Sequence, residues 1–143
     1  MGRWHSFRAL PAQARIDALE AAAMLALASP LLRLVPFRHV ARWLGDIDTA
    51  PVPDADPTVA RAVGRAVERA ARHLPWQPVC LPQALAARAM LRRRGIVSTL
   101  HFGMRRDGAD RAMAAHAWVT AGAVPVVGVP AAEGFTVIAR FRR

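Results

Sequence analysis

The chain contains no lysine, no tyrosine and only one cysteine among its 143 residues. A single cysteine excludes an internal disulfide, and it also excludes a zinc site built from several thiolates. The sequence shows no ligand spacing among its histidines, no glycine-rich phosphate loop and no dinucleotide motif. We therefore predict a protein that uses no metal and no cofactor, in the reducing environment of the cytoplasm.

Lysine is absent although the net charge is +10, because all twenty basic residues are arginines. An excess of this size is typical of nucleic-acid binding, but aromatic residues do not alternate with the arginines as base stacking requires. The uniform use of arginine, together with many alanines, indicates a bias in coding composition. We predict no nucleic-acid partner, although a basic surface remains suited to an acidic peptide.

Long hydrophobic runs are missing as well. The apolar run at residues 21–32 is too short to span a bilayer, so we interpret it as a buried helix face, with an interfacial amphipathic helix as the alternative. No secretory signal is evident, and we predict no integral membrane segment. The length predicts one domain over residues 1–143, with a helical N-terminal part (1–45) and a core (58–143).

The N-terminal part is expected to be mainly helical. Residues 1–10 have no clear period and are interpreted as a partly ordered lead-in. Apolar spacing that includes Ile16, Leu19, Ala23 and Leu27 predicts a first helix over residues 12–28. Ser29-Pro30 is expected to interrupt it, and a shorter, broken helix then reaches Trp43.

The segment at residues 46–57 is rich in acids and prolines and predicts a surface connection. Asp56 is suited to cap the next helix, with Pro57 as its first residue. That helix carries a row of arginines on one face: Arg61, Arg65, Arg69 and Arg72. Glu68 lies within one turn of two of them and is expected to neutralise part of the row. A solvated helix face and a docking surface for an acidic peptide both remain open.

The only cysteine, Cys80, lies where an irregular segment gives way to a strong helix. Pro75 and Pro78 prevent a helix before the cysteine, whereas residues 81–94 are rich in helix formers and end at Gly95. The thiol is therefore expected at a helix N-terminus. There the unpaired N–H groups and the helix dipole favour the thiolate, which is the nucleophilic form.

The period changes from helical to alternating after Gly95, which predicts strands at residues 97–104, 113–120, 124–127 and 135–141. A charged turn is expected at residues 105–111. Helices followed by antiparallel strands predict an α+β fold in which the cysteine-bearing helix packs on a small sheet.

The strand at residues 113–120 presents a histidine that is a candidate base for the thiol. His116 and Trp118 share one face of that strand, and small alanines surround the histidine. A neutral imidazole beside Cys80 would take the thiol proton and later protonate a departing amine. A buried, inert cysteine and a merely structural histidine are the alternatives. His101 is expected to be structural or exposed.

Three ordered motifs carry a resemblance to a known family. They are PWxxxCLPQALAxxxMLRRRGI from Pro75 to Ile96, LHFGM at residues 100–104 and AHAWV at residues 115–119. Together they resemble the leader peptidases of lasso peptide biosynthesis, which have a transglutaminase-like cysteine protease fold. The N-terminal part resembles the stand-alone form of this peptidase, in which leader recognition belongs to a separate polypeptide.

The resemblance implies removal of the leader from a ribosomally made precursor peptide, with a separate recognition protein and a lasso cyclase as partners. Cys80 would form a thioester with the last leader residue, and His116 would act as base and then acid. The backbone N–H of Cys80 would stabilise the oxyanion. Gln77, Trp76 and Trp118 are candidates for the pocket, while a loop amide and packing tryptophans are the structural alternatives.

The sequence departs from this family where the family generally has an aspartate that orients the imidazole. The corresponding residue is Gly128, and no aspartate follows His116. Glu133 is a candidate third member, and a backbone carbonyl or a polar side chain is the alternative. Two other functions remain open: a non-catalytic scaffold of the maturation complex, and acyl transfer from Cys80 to an amine.

Overall fold

The structure is a computed structural model that describes residues 2–47 and 50–142. Within these residues, five α-helices precede or flank the strands: α1 (Gly2–Arg8), α2 (Ala12–Leu34), α3 (Phe37–Trp43), α4 (Pro57–His73) and α5 (Cys80–Arg93). The strands are β1 (Asp46–Ile47), β2 (Thr99–Asp107), β3 (Ala112–Ala121), β4 (Val124–Val127) and β5 (Thr136–Arg142), and a single 3-10 turn lies at Pro130–Ala132. The expected α+β fold is confirmed.

The strands form one antiparallel sheet in the order β1-β5-β2-β3-β4, so β4 is an edge strand. Strands β2 and β3 pair without a break, and Gly103 lies opposite His116. Side chains alternate between the two faces of a strand. Ala117 and Val119 belong to the hydrophobic core beneath the helices, so the neighbouring His116 and Trp118 lie on the other face.

The helices form a layer on one face of the sheet. Helix α2 packs on α4 and α5, while α5 packs on β3 and α4 packs on β4. The approach of α4 to the edge strand depends on Gly64, because a Cβ at this position would overlap the carbonyl of Val126. The core between helices and sheet contains fully buried side chains from every layer, including Leu25, Val67, Met90, Leu100 and Val119.

Several expected boundaries are confirmed. Helix α5 begins at Cys80, and the chain leaves it through Gly95, whose φ of +71° is left-handed. Asp56 caps α4 by accepting a hydrogen bond from the Thr58 N–H at 2.9 Å, and Pro57 is the first helical residue. Strand β2 extends three residues further than expected, to Asp107, so only residues 108–111 form the turn.

Two expectations about the N-terminal part are wrong. Residues 2–8 form helix α1 where a partly ordered lead-in was expected. Pro30 does not interrupt the first helix, because its ring is exposed and apolar residues on both sides of it pack against the core. The break falls at Val35, which precedes Pro36 and is extended, as residues before proline prefer.

The connection at residues 46–57 also differs from expectation. It begins with strand β1, whose Ile47 pairs with Phe141 of β5. Residues 50–56 form no helix or strand, as a surface connection requires. Residues 48 and 49 lie outside the described part of the chain.

The apolar run of α2 is buried on one side only. Ala21, Leu25 and Ala28 face the core, but Leu27 is 67% exposed. The apolar row noted in the sequence lies on the same outer side, since Ile16, Leu19 and Ala23 are exposed as well. The interpretation of residues 21–32 as a buried helix face therefore holds for half of the helix circumference. No helix of the described chain has the length and apolar character needed to cross a membrane.

A cluster of ion pairs joins the end of the cysteine helix to α2. Arg94 lies 2.7 Å from a carboxylate oxygen of Glu20 and 2.9 Å from one of Asp17, which is buried. The hydrogen bond to Glu20 raises the pKa of Arg94, and burial opposes this effect. Arg94 also donates to the Met90 carbonyl at 2.9 Å. The cluster fixes the C-terminal end of α5.

Candidate active site

Cys80 is the first residue of α5, and the backbone N–H groups beside it are open. Val79 occupies the cap position with extended backbone but provides no side-chain hydrogen bond. Among the described residues the N–H groups of Cys80 and Leu81 have no acceptor, and Pro82 has no N–H to satisfy. The thiol is half-buried against the core. Two free donors therefore lie next to a candidate nucleophile.

The loop before Cys80 is held by a residue that the sequence interpretation missed. Gln83 lies one turn into α5 and donates its side-chain amide to the Pro78 carbonyl at 2.7 Å. This hydrogen bond fixes the path of the chain into the cysteine. The contact is not a capping box, because Gln83 follows the cap residue Val79 by four residues and donates to a carbonyl, so that familiar spacing does not reveal it.

His116 is oriented by the main chain of Gly128. The ring Nε2 lies 2.8 Å from the Gly128 carbonyl oxygen. A carbonyl oxygen only accepts, so Nε2 must carry the proton, and in the neutral ring Nδ1 then has the free lone pair. The ring is thereby held in the tautomer that a general base acting through Nδ1 requires.

Gly128 is suited to this task because of its backbone. Its φ is +74°, which is a left-handed conformation. A Cβ at this position would lie 3.3 Å from the His116 Nε2 and 3.0 Å from the Ala117 carbonyl oxygen. The close approach of the chain to the histidine ring thus depends on the absence of a side chain.

Cys80 and His116 are supplied by different layers of the fold. The thiol comes from the helix layer, and the imidazole comes from the outer face of the sheet. The described contacts include no hydrogen bond between them, so the structure does not join the expected pair directly.

Two neighbouring grooves lie along α4, one near each half of the site. One, of about 570 Å³, is lined by Pro78 and Gln83 near the cysteine. The other, of about 240 Å³, is lined by Gly128, which holds the histidine. Glu68 lines both of them, whereas Cys80 and His116 line neither. We call the two together the α4 groove, and each of them one of its ends.

Comparison with known proteins places this arrangement in a family. A model of the transglutaminase-like superfamily matches residues 25–140, which is most of the chain. The chain belongs to the transglutaminase-like superfamily. Members of this superfamily are generally cysteine proteases or acyltransferases. No curated protein and no solved structure matches the chain significantly.

In this transglutaminase-like domain, Trp118 supports the histidine ring. Trp118 is buried, and its ring stacks on His116 with centroids 5.8 Å apart. Phe135 contacts the same imidazole from another side, at 5.4 Å. Gly103 leaves room for the tryptophan, because a Cβ there would lie 2.8 Å from its ring atoms. The stacked Trp118 ring therefore fixes the plane of the His116 ring.

His101 lies on the far side of Trp118, where its ring stacks at 5.4 Å. It shares the outer face of the sheet with His116 and forms a hydrogen bond of 2.9 Å with the Thr120 hydroxyl. Burial lowers the pKa of His101, and the charge of Arg140 lowers it further. These contacts agree with the structural role expected for this residue.

Of the remaining candidates, Trp76 and Gln77 are consecutive and line a common cavity with Val79 and Leu81, whereas Glu133 is not among its lining residues. Trp76 donates its indole N–H to the Ser29 hydroxyl of α2 at 3.0 Å, so its contact is with the helix layer. Gln77 lines the α4 groove and has a strained φ of +42°. Glu133 is exposed and has no described contact with His116, whose Nε2 is held by Gly128.

Residues 2–47 and 50–142 contain no group of three or more histidine, cysteine, aspartate or glutamate side chains that could hold a metal ion.

Proposed function

We propose that this transglutaminase-like protein is a cysteine peptidase that removes the leader from a lasso precursor peptide. The observation that carries the proposal is the hydrogen bond from the His116 ring to the Gly128 carbonyl, which leaves Nδ1 as the basic nitrogen. Gly128 stands where the resembling family has an acid that orients the histidine. The three sequence motifs support the substrate class. The open N–H groups at Cys80 support acyl chemistry.

The reaction begins with attack of the Cys80 sulfur on the carbonyl carbon at the end of the leader. His116 Nδ1 takes the thiol proton, and the N–H groups of Cys80 and Leu81 bind the developing oxyanion. The imidazolium then protonates the leaving amine, which is the new N-terminus of the core peptide. Water, deprotonated by His116, attacks the thioester and releases the leader with a free carboxylate and the thiol restored.

This mechanism requires His116 Nδ1 to approach the thiol when the substrate binds. Hydrogen bonds between catalytic groups are often long or absent in unliganded enzymes and tighten in the substrate complex. The α4 groove lies near both layers, because Pro78 of the loop before Cys80 lines one end and Gly128 lines the other. Substrate lying there would contact both halves of the site.

The proposal includes the partners implied by the sequence. A separate recognition protein presents the leader, and a cyclase consumes the released core peptide. One domain over residues 1–143, with the catalytic core at residues 58–143, performs the cleavage in the cytoplasm without metal, cofactor or nucleic acid.

Two other functions have a specific observation in their favour. The absence of a described Cys80–His116 hydrogen bond favours a non-catalytic scaffold that holds the other proteins together. Membership of a superfamily that contains acyltransferases favours transfer of the thioester to an amine.

The test mixes the protein with the precursor peptide and recognition protein encoded beside it. We expect Cys80→Ala and His116→Ala to abolish cleavage, with rate losses of at least about 100-fold. His5→Gln, at an exposed position in α1, is the control histidine variant and should cleave normally. Full cleavage by Cys80→Ala would refute the peptidase.

Mass spectrometry of the released leader separates the alternatives. Hydrolysis leaves a free carboxylate, whereas transfer leaves an amide adduct. Complex formation without any cleavage by the unaltered protein would indicate the scaffold.

A further inference from the structure

The α4 groove is basic along one wall. Arg61 and Arg65 line its end near Gly128, and Arg72 lines its end near Pro78. These three side chains are exposed. The packing at Gly64 explains the position of Arg61 and Arg65, because residues three before and one after it on a helix flank the same contact with the edge strand.

The arginines of this wall are not neutralised within the protein. The sequence suggested that Glu68 pairs with Arg65 or Arg72, but this expectation is wrong. In the described parts of the chain none of Arg61, Arg65, Arg69 and Arg72 forms an ion pair, and Glu68 forms none either. By contrast, Arg94 on the neighbouring helix is paired with two carboxylates. The positive potential of the groove is therefore available to a ligand.

The groove is also in the right place for a substrate. Its wider end includes Pro78, which lies two residues before Cys80, and Gln83, which fixes that loop. Its narrower end includes Gly128, whose carbonyl holds His116. A peptide that lies along α4 would pass the arginines and reach the loop before Cys80.

We propose that the α4 groove binds acidic side chains of the substrate peptide and so selects peptides with carboxylates near the scissile bond. This proposal rests on the proposed function for the identity of the ligand, but its charge chemistry is tested separately. Arg61 and Arg65 lie together at one end and attract carboxylates there. Glu68 lies between them and Arg72 and repels a carboxylate at the centre, which makes the selection depend on spacing.

The first experiment measures binding alone, with the Cys80→Ala protein so that no turnover intervenes. The probes are a fluorescent peptide alternating glutamate and serine, the same peptide with glutamine for each glutamate, and a fluorescent single-stranded DNA. We expect the glutamate peptide to bind more tightly than the glutamine peptide, and the difference to shrink at high salt.

The matched variants are Arg65→Gln and Arg69→Gln. They remove the same charge from the same helix, but only Arg65 lines the groove. We expect Arg65→Gln to weaken glutamate-peptide binding by about three-fold and Arg61→Gln with Arg65→Gln by about ten-fold, as exposed ion pairs usually do. Arg69→Gln should leave the affinity unchanged. Thermal unfolding confirms that each variant is folded.

Three results would overturn the groove proposal: equal affinity for the glutamate and glutamine peptides, equal losses for Arg65→Gln and Arg69→Gln, or displacement of the glutamate peptide by the DNA at lower concentration. Equal affinity for the two peptides would mean that charge does not contribute to binding. Equal losses for the two variants would mean that the attraction is not specific to the groove, and displacement by the DNA would indicate a nucleic-acid site.

A second experiment, with unaltered Cys80, separates this proposal from the proposed function. Precursor cleavage by Arg65→Gln should show a raised KM with unchanged kcat, and replacing the acids of the precursor with amides should remove the effect. Charge-dependent binding without cleavage supports the groove and rejects the peptidase. Cleavage that is indifferent to Arg65 and to substrate acids supports the peptidase and rejects the groove.

Discussion

Helices α4 and α5 lie side by side, both begin after a proline-containing loop, and both pack on the sheet, yet their N-termini differ. Helix α4 is capped by Asp56, whose carboxylate accepts the Thr58 N–H at 2.9 Å. Helix α5 has Val79 at the same position, with extended backbone and no side-chain acceptor. A side-chain cap is the usual way to satisfy these N–H groups.

The two helix N-termini have different consequences: the cap of α4 stabilises the fold, and the uncapped end of α5 leaves donors for a ligand. At α4 the chain satisfies its own donors, and the helix end needs nothing else. At α5 the donors beside Cys80 stay open, which costs some stability and leaves a site for negative charge. The proposed oxyanion has this character, so the uncapped end is the one expected to do chemistry.

The largest expected effect comes from moving the base away from the uncapped end. Gly128→Ala places a side chain 3.3 Å from the His116 ring in a left-handed conformation. We expect kcat for precursor cleavage to fall by about 100-fold, because a displacement of about 1 Å can have that effect. Steady-state kinetics check this.

Gly95→Ala is its control, since Gly95 has a similar φ of +71° and open space around it. Both variants should lose about 1–2 kcal/mol of unfolding free energy, but Gly95→Ala should keep its kcat. Equal losses of kcat would mean that strain alone explains the result.

The second-largest expected effect on kcat comes from giving α5 a side-chain cap like that of α4. In Val79→Thr, threonine has nearly the same shape as valine but adds a hydroxyl that can accept a hydrogen bond from the Leu81 N–H. Leu81 is the expected donor, because Pro82 has no N–H. We expect unfolding free energy to rise by about 0.5–1 kcal/mol and kcat to fall by about 10-fold, because one oxyanion donor is occupied. Denaturant unfolding and kinetics on one preparation measure both.

Val79→Ala serves as the control without a cap. It should retain the kcat of the unaltered protein. If the Val79→Thr protein is more stable and equally active, the open N–H groups at the start of α5 do not take part in the reaction.

The opposite change at α4 should affect stability only. Asp56→Ala removes the cap and is expected to lower the unfolding free energy by about 1 kcal/mol. Cleavage should be unchanged, because Asp56 is not in contact with the α4 groove. Asp56→Asn keeps an acceptor and should recover most of the loss. A fall in kcat for Asp56→Ala would show that the two helix ends are coupled.

The smallest expected effect concerns His101, the structural counterpart of His116 on the same sheet face. Burial and Arg140 lower the pKa of His101 from its ordinary value of 6.5. The unfolded chain therefore binds a proton at a higher pH than the folded chain does. The contribution of the neutral His101 ring to the unfolding free energy is complete above about pH 6.5 and falls as the pH is lowered.

Denaturant unfolding at a series of pH values from neutral to acidic measures how the unfolding free energy changes with pH. This change should stay below about 1 kcal/mol per pH unit, since solvent screens a half-exposed ring. The His101→Gln variant should show a flatter dependence of unfolding free energy on pH.

The sequence predicted those parts of the fold that local rules determine. Asp56-Pro57, the helix from Cys80 to Gly95 and the alternation around His116 follow from capping, helix propensity and side-chain period. Pro30 was misjudged because its effect depends on burial of its neighbours, which no local pattern contains. A backbone carbonyl was one of the alternatives for orienting His116, but the sequence did not point to Gly128 as its source, since a main-chain acceptor leaves no residue type to mark it.

The ion pairs at the far end of α5 have a mechanical consequence for its beginning. A helix of fourteen residues is about 20 Å long, and Arg94 anchors one end of it to Asp17 and Glu20 of α2. A tilt of about three degrees around that anchor displaces the sulfur of Cys80 by about 1 Å, which is enough to change a rate. The position of Cys80, the proposed nucleophile, therefore depends on ion pairs that lie a full helix length away from it.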